Sequence, residues 1–458
     1  MKKVTLASGA GYWGEPNHLT QNLVEKGDFK YLGLDYLAEL TISLLQRQKL
    51  KNPTRGYVPQ LTEVLPMILT TCIEKGIKII TNGGGTNPLQ ASEKAVKIAE
   101  EQGVSIKIGV IEGDDIRDKI DDMSNRGIEF VNLDTGEKDI NKIKDEIVTA
   151  NAYIGSDLII EALRKNVDMV IGGRIADNAL YVGPIMYELG LSFENPNDWN
   201  KIGAAITVGH IIECAEWCCG GNSNFWMDND PSTNLFNMGL PIVEFYENGE
   251  AIISKTPDSG GQMTVNTVRE HLVYEVHNPK KYLMPDGVAD FTTLKLEQVG
   301  KDRVKVTNMS GTKRPDTLKV QIGYEDGYIA ESTLLVPWPQ AVTKAKFYQK
   351  IANDLFETLG FSPDQVRYDW IGINSAHGVV APIPEDEDTV NEIMLRFSAH
   401  VDTRMEAEIA RGGMGGLIIG PVGTGFGRPV HPREVISLWP TLVPREEVKT
   451  TLRIKEVK

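Results

Sequence analysis

The sequence has 458 residues and a formal net charge of −15, with 41% hydrophobic and 24% charged residues. Single hydrophobic cores stop growing at about 250–300 residues, so this length predicts at least two domains. The acidic balance and the lack of a basic block argue against nucleic acid or an anionic membrane as the main partner. An anionic substrate would therefore need a local positive site.

The cysteine pattern and the N-terminus indicate the compartment. Four cysteines, at positions 72, 214, 218 and 219, form neither a disulfide framework nor paired zinc spacings, which is typical of a reducing environment. No secretory signal is visible, and no apolar run approaches the ~20 residues of a membrane span. We expect a cytoplasmic protein.

A strand at Val4–Ser8 leads into Gly9-Ala10-Gly11-Tyr12-Trp13-Gly14, which fits the G-x-G-x-x-G dinucleotide pattern, with Asp35 at the expected distance. We nevertheless expect no nicotinamide or flavin. Pro16 delays the helix that should hold the phosphates, and the two aromatic side chains put bulk where pyrophosphate would approach. Trp13 is predicted to face a substrate pocket, and a dinucleotide site is the alternative.

Asp35 and Glu39 are the candidate metal ligands. A strand at 29–34 is followed by a helix predicted from Asp35 to about Gln48. Carboxylates four residues apart on a helix can converge on a divalent cation, so a metal is an open alternative and the cofactor is unknown. In the other interpretation, Asp35 is the N-cap of the helix and Glu39 lies in its first turn.

Residues 77–88 combine a buried strand, a glycine-rich turn and a helix start, in the run Asn82-Gly83-Gly84-Gly85-Thr86-Asn87-Pro88. Asn87 is the predicted N-cap, Pro88 the first helical residue and Gln90 the capping-box partner. Free N–H groups of Gly83, Gly84 and Gly85 near a helix N-terminus predict a site for a carboxylate or phosphate, with Asn82 and Asn87 beside it. The alternative is a tight turn without a ligand.

A second glycine loop follows the strand at 167–171, in the run Gly172-Gly173-Arg174-Ile175-Ala176-Asp177. Gly173 and Arg174 are predicted to hold the same substrate anion as the Asn82 loop, and Asp177 is predicted to cap the next helix. If Arg174 serves as an anion clamp, replacing it with lysine should leave folding nearly intact. In the alternative, Arg174 and Asp177 form a structural pair that braces the loop.

Strands alternate with helices to this point, which predicts an α/β fold with a doubly wound, mostly parallel sheet over residues 1–240. From about Pro241 short strands and turn signals predict a β-rich α+β region over residues 241–458. This region includes predicted helices at 342–359 and 392–410. A glycine-dense tail at 411–428 is predicted to bind an anion or to contact another subunit.

His210 and Glu213, three residues apart, join Asp177 as candidate general acid–base groups. A histidine satisfied within the core is the alternative. Cys219 precedes two glycines and could be a nucleophile, although a small buried thiol is the simpler interpretation.

These motifs together resemble the acyclic terpene utilisation (AtuA) family over about residues 4–325. Further matching stretches are Gly260-Gly261, Glu270-His271-Leu272-Val273-Tyr274-Glu275 and Tyr282-Leu283-Met284-Pro285-Asp286. The resemblance implies catabolism of branched acids as acyl-CoA derivatives, and it supplies no settled reaction or catalytic residue. It also implies a companion module of about a hundred residues with a ferredoxin-like fold, fused or encoded separately.

We therefore expect a lyase or hydratase that acts on a branched carboxylic acid or its CoA thioester and that forms a homo-oligomer. The alternative is a non-catalytic subunit of a partner enzyme. Such a subunit would bind acyl-CoA for the enzyme or serve as its scaffold.

Overall fold

The computed structural model describes residues 1–223, 235–415 and 429–457. The chain forms two compact units, unit 1 with Met1–Gly323 and Leu438–Lys458 and unit 2 with Tyr324–Ser437. The boundary expected near residue 240 falls inside unit 1, because the strand that follows it pairs directly with the N-terminal strand. Among the described residues, no helix has both the length and the apolar character needed to cross a bilayer.

Unit 1 alternates strands and helices in its first half. Its elements there are β1 (Lys3–Ala10), α1 (Asn17–Lys26), β2 (Tyr31–Leu34), α2 (Thr41–Lys51), α3 (Pro59–Lys75), β3 (Lys78–Thr81), α4 (Pro88–Gln102), β4 (Ile106–Glu112), α5 (Ile120–Asn125), β5 (Ile147–Ala152), α6 (Asp157–Arg164), β6 (Met169–Gly172), α7 (Ala179–Leu189) and α8 (Trp199–Glu213).

The second half of unit 1 is richer in strands. It contains β7 (Pro241–Tyr246), β8 (Ala251–Lys255), α9 (Val265–Leu272), β9 (Tyr282–Met284), β10 (Gly287–Asp290), β11 (Lys295–Gly300), β12 (Arg303–Thr307), β13 (Ser310–Thr312), the start of β14 (Thr317–Pro337), the end of β17 (Pro429–Pro444) and β18 (Thr451–Val457).

A ten-stranded sheet is the centre of unit 1, in the order β11-β12-β8-β7-β1-β2-β3-β6-β4-β18. The strands β1, β2, β3, β6 and β4 pair in parallel. β7 and β18 then pair antiparallel with β1 and β4 on the two sides of this parallel centre. The predicted α/β fold is confirmed, and the whole sheet is mixed. β5 stands apart and pairs with β14.

Helix α3 illustrates how apolar helix faces cover the sheet. Val64, Leu65, Ile68 and Leu69 recur at helical spacing and are all buried in one cluster with residues of α1, α4 and the parallel strands. Burying each such side chain stabilises the fold by about 1.5–3 kcal/mol.

The loops after the parallel strands meet at one edge of the sheet, because parallel strands end on the same side. β3 and β6 are neighbours, so the Asn82 and Gly172 loops are adjacent. A Cβ atom on Gly84 would lie 2.5 Å from the Gly172 carbonyl oxygen. Glycine at position 84 is therefore what allows the two loops to approach this closely.

Unit 2 contains most of β14, α10 (Ala341–Thr358), β15 (Val366–Ile371), β16 (Glu392–Val401), α11 (Arg404–Gly415) and the start of β17. Its sheet has the order β15-β16-β14-β17. The succession β-α-β-β-α-β is that of ferredoxin-like folds. Helix α10 covers this sheet with side chains that include Tyr348 and Phe356.

The helix predicted over 392–410 is wrong in its first half, where the structure has β16. Alternate side chains of this strand are buried, namely Ile393, Leu395, Phe397, Ala399 and Val401. This spacing of two residues is that of a strand with one covered face. The end of the predicted glycine-dense tail, at 416–428, lies outside the described residues, and residues 411–415 belong to α11.

Replacing Gly84 with alanine should destabilise unit 1 by about 1–3 kcal/mol, the range for forcing extra volume into a packed site, because the new methyl would clash with the Gly172 carbonyl. Urea denaturation measures this. Gly412→Ala is the matched control, since Gly412 is exposed in α11 with nothing within 4 Å of a new Cβ. An unchanged midpoint for Gly84→Ala would contradict the close approach of the two loops.

Candidate functional site

Arg174 lies in the loop that follows β6 and is 2% exposed. Its Nη1 donates to Asp177 Oδ1 at 2.6 Å and to the Ile175 carbonyl at 3.2 Å. Its guanidinium carbon lies 3.9 Å from the centre of the Tyr153 ring, a cation–π contact. Nε is buried and has no hydrogen-bond partner among the described residues. Arg174 thus forms the structural pair with Asp177 and still keeps one donor for a ligand.

Asp114 fixes the backbone of this loop. Its Oδ2 accepts the Arg174 N–H at 2.9 Å and the Asn151 side-chain amide at 2.8 Å. A Cβ on Gly173 would lie 2.3 Å from Asp114 Oδ1, so the position requires glycine. Gly173 therefore makes room for the carboxylate that orients Arg174.

Asp177 does not cap the next helix as expected. The N-cap position of α7 is Asn178, which makes no side-chain capping bond. Asp177 turns instead to Arg174, because the buried guanidinium needs a counter-charge more than the helix end needs an acceptor.

Asp35 is also not the N-cap that the sequence predicted, because α2 begins only at Thr41. Its Oδ1 accepts the Asn82 side-chain amide at 2.6 Å and the Leu37 N–H at 3.2 Å. Burial raises the pKa of Asp35 well above its ordinary value, and the Asp177 carboxylate raises it further. These surroundings therefore favour the protonated form of Asp35.

Glu39, the other predicted metal ligand, has different partners. Its Oε1 accepts the Tyr153 hydroxyl at 3.2 Å and lies 3.6 Å from Lys319 Nζ. In residues 1–223, 235–415 and 429–457, no three His, Cys, Asp or Glu side chains are grouped so that they could hold a metal ion.

His210 and Glu213 lie on one face of α8, with His210 Nδ1 3.0 Å from Glu213 Oε1. His210 Nε2 lies 3.2 Å from the Leu272 carbonyl oxygen, which can only accept, so Nε2 carries the proton. Burial lowers the pKa of His210 to about 4, so its ring is neutral and Nδ1 is an acceptor. The contact between Glu213 Oε1 and Nδ1 is then a hydrogen bond only when Glu213 is protonated.

A protonated Glu213 agrees with its surroundings. Burial raises the pKa of Glu213 well above its usual range, and the carboxylates of Asp177 and Glu275 add to the effect. Its second oxygen, Oε2, is buried and has no hydrogen-bond partner in the described parts of the chain. Glu213 is therefore a neutral acid with one oxygen free.

The Asn82 loop mostly closes on itself. Gly83 N–H donates to Thr81 Oγ1 at 2.9 Å, and Gly85 N–H donates to the Asn82 carbonyl at 3.0 Å. The expectation of free N–H groups at these two glycines is wrong, because both groups donate hydrogen bonds to oxygen atoms within the tight turn. Asn87 is at the N-cap position, but its side chain donates to the Pro53 and Arg55 carbonyls instead of capping α4.

The amides of the G-x-G-x-x-G loop are already occupied by side chains of the protein itself. Gly11 N–H donates to Glu15 Oε2 at 2.6 Å, and Gly14 N–H donates to Gln60 Oε1 at 2.6 Å. Helix α1 begins only after Pro16. That this loop takes no dinucleotide stays a prediction, which the occupied amides support. Trp13 is 36% exposed on the same loop.

Cys218 and Cys219 are fully buried, and all four cysteines are free thiols. Burial raises the pKa of the Cys218 thiol well above its ordinary value, which opposes formation of a thiolate. The geometry favours the buried-thiol interpretation over a nucleophile.

A family model described as acyclic terpene utilisation family protein AtuA matches residues 4–454. The chain belongs to this family. The match to AtuA extends past residue 325, where the motif resemblance ends, and includes unit 2. A comparison with curated proteins found no match, and neither did a comparison with solved structures.

Sequence reasoning missed three residues of this AtuA site. Tyr153, which stacks on Arg174, follows β5 without any motif that marks it. Asn178 is wholly buried with both side-chain amide atoms unpartnered among the described residues. Tyr282 contacts His210 and lies in a matching stretch of the family resemblance, which was the only signal for it.

Replacing Asp177 with asparagine should destabilise this AtuA protein by about 2–3 kcal/mol, because Arg174 would be left buried without its counter-charge. This is below the range for fully buried pairs, since the Asp177 side chain is 32% exposed. Urea denaturation measures it. Asp316→Asn removes the exposed partner of Lys313 and should have little effect. Equal, small changes for both variants would show that the Arg174 pair is not needed for folding.

Glu15 should make stability depend on pH. Burial raises its pKa to about 8 in the folded chain, so between its ordinary value and pH 8 the folded chain binds more protons than the unfolded chain. Stability from this group is therefore lost as pH rises through that window, by up to about 1.4 kcal/mol per pH unit.

Glu15→Gln keeps an acceptor for the Gly11 amide and removes this titration. Its stability relative to the wild type should rise between about pH 5 and about pH 8, as measured by urea midpoints. Glu297→Gln, at an exposed position of β11, is the control. A constant difference between Glu15→Gln and the wild type across this range would mean that Glu15 is ionised in the folded protein.

Proposed function

We propose that this AtuA protein is a cytoplasmic lyase of the hydro-lyase type that acts on a branched carboxylic acid or its CoA thioester. The observation that carries the proposal is the combination of a neutral acid, Glu213, whose Oε2 is free, with a buried guanidinium, Arg174, whose Nε is free. Asp177 pairs with Arg174, and its charge also acts on Glu213, so we assign both groups to one site near the carboxyl ends of the parallel strands.

The residues supply the parts that removal of water requires. Arg174 would hold the substrate carboxylate or the thioester oxygen and so favour loss of a proton from the neighbouring carbon. Asp177 would accept that proton, and the electrons of the C–H bond would form the new C=C bond. The C–O bond then breaks, and Glu213 would protonate the departing hydroxide to water. Read in reverse, the same steps add water.

Carboxylic acids whose pKa values are displaced by burial and by neighbouring charges are common at catalytic sites. Here the pKa values of Asp35 and Glu213 are both raised, by burial and by the charge of Asp177. A small anionic substrate fits these surroundings because it would meet donors on several sides. Nucleic acid and membrane surfaces are not proposed as partners. A homo-oligomer and a separate ferredoxin-like companion are kept as proposals.

Two variants test the assignment on candidate branched hydroxy acids and their CoA thioesters. Glu213→Gln should lower turnover by about 10²–10⁴-fold, because the amide can hold His210 but cannot give up a proton. Arg174→Lys should weaken substrate binding by about 1.5–3 kcal/mol, since lysine keeps the charge but loses the planar fork. Calorimetry measures binding, and a spectroscopic assay of the enoyl product measures turnover.

Arg314→Lys is the matched control for Arg174→Lys. Arg314 also pairs with a carboxylate, Asp157, and lies 4.1 Å from the centre of an aromatic ring, Phe193. The Arg314→Lys variant should leave substrate binding unchanged. If Arg174→Lys lowers the melting temperature and binds the substrate as the wild type does, Arg174 is only a brace and the anion clamp must be abandoned.

The runner-up is a non-catalytic subunit that binds acyl-CoA or serves as a scaffold for a partner enzyme. Expression with and without the genomic neighbours separates the two. Turnover by the chain alone supports the lyase, whereas binding of acyl-CoA without turnover until a partner is added supports the subunit. Elemental analysis of the purified protein decides whether a divalent metal takes part.

A further inference from the structure

His210 Nδ1 has two potential donors and one lone pair. Glu213 Oε1 lies 3.0 Å from Nδ1, and the Tyr282 hydroxyl oxygen lies 3.3 Å from it. A neutral imidazole nitrogen without a proton accepts one good hydrogen bond. Only one of the two groups can therefore serve as the main donor at a time.

The ring of His210 cannot turn to serve both donors. Nε2–H is committed to the Leu272 carbonyl at the end of α9. The Phe291 ring stacks on the imidazole with centroids 5.3 Å apart, and the Tyr282 ring lies 4.9 Å away. Nδ1 is thus held facing the two oxygens whatever the protonation state of Glu213.

Protonated Glu213 can donate to Nδ1, but a Glu213 carboxylate cannot. Once the proton has left, two lone pairs face each other at 3.0 Å, which is unfavourable in a buried site. The Tyr282 hydroxyl can then turn its O–H to Nδ1. No covalent bond to the tyrosine proton breaks in this step, and only the hydrogen-bond partner of Nδ1 changes.

We propose that Tyr282 is a positioning residue that supplies the hydrogen bond to His210 Nδ1 whenever Glu213 has given up its proton. By satisfying Nδ1 in that state, Tyr282 stabilises the ionised form of Glu213 and makes it a stronger acid. The burial of Tyr282 raises the pKa of its phenol, so the group keeps the proton that it must donate. This inference deepens the proposed function, because it concerns the acid assigned there.

Other groups also act on Glu213 and must stay constant in a test. They lie in the loops after β2 and β6, on α7, at the end of α8 and after α9, and are Asp35, Arg174, Asp177, Tyr181, Cys214 and Glu275. A single Tyr282→Phe change removes one hydroxyl and leaves all of them in place.

The experiment uses NMR on the full chain without substrate. In protein labelled with ¹⁵N-histidine, the His210 signal, assigned by its loss in His210→Asn, should show a protonated Nε2 and a bare Nδ1 at neutral pH. In protein labelled with ¹³C at the glutamate carboxyl, the Glu213 signal, assigned by Glu213→Gln, reports its titration.

Tyr282→Phe should raise the pKa of Glu213 by about 0.5–1 unit, the effect of losing one hydrogen bond that favours the ionised form. Tyr246→Phe is the matched control, because the Tyr246 hydroxyl contacts Glu244 at 3.1 Å, outside the site. It should leave the Glu213 titration unchanged.

Two results would overturn the inference. One is a Tyr282→Phe variant that melts at a lower temperature while Glu213 titrates as in the wild type, which would make Tyr282 a packing residue only. The other is a His210 ring with its proton on Nδ1. Because no substrate is used, the inference can fail while the proposed reaction stands, and the reaction can fail in assays while this titration result stands.

Discussion

The buried charge of Arg174 is the constraint on which the arrangement of the site depends. Moving a charged guanidinium out of water costs several kcal/mol unless counter-charge and hydrogen bonds replace the solvent. Here Asp177 supplies the charge, the Tyr153 ring supplies a π-face, and Asp114 binds the backbone N–H of Arg174 itself. Loops from three different places in the chain therefore converge on one side chain. The positions of these loops relative to one another are set by the contacts that the buried Arg174 side chain requires.

The proton content of the site follows from the same ion pair. Asp177 is the carboxylate that pairs with Arg174, whereas the side chains of Asp35 and Glu213 are buried and form no ion pair with an arginine or a lysine among the described residues. Burial and the charge of Asp177 raise the pKa values of Asp35 and Glu213 and so favour their protonated forms. His210 responds in the opposite direction and stays neutral. Burial thus favours the neutral form of these carboxyl groups, whereas exposed carboxyl groups would be ionised at pH 7 and could attract cations.

The sequence revealed the features that depend on local periodicity and failed where distant contacts decide. The strand, glycine turn and helix start of residues 78–88 were predicted closely, because β-branched residues and Pro88 act locally. The partner of Asp35 was not predicted, since Asn82 comes from the next strand and outcompetes the helix N-terminus. The helix prediction is wrong for residues 392–401, because Met394, Arg396 and Ser398 between the buried positions fit either period, and only the alternate burial reveals a strand.

Unit 2 is inserted into unit 1, because the chain leaves unit 1 at Gly323 and returns to it at Leu438. After its return, β18 pairs along β4 from Thr451 to Val457 and forms the last strand of the large sheet. A chain truncated before unit 2 would lose this strand, and β4 would then present a row of unpaired backbone groups to solvent. Such an open edge is a template for association with other chains. β18 takes that edge position instead, and its Arg453, Lys455 and Glu456 side chains place charges along the edge, a common way for an edge strand to resist such pairing.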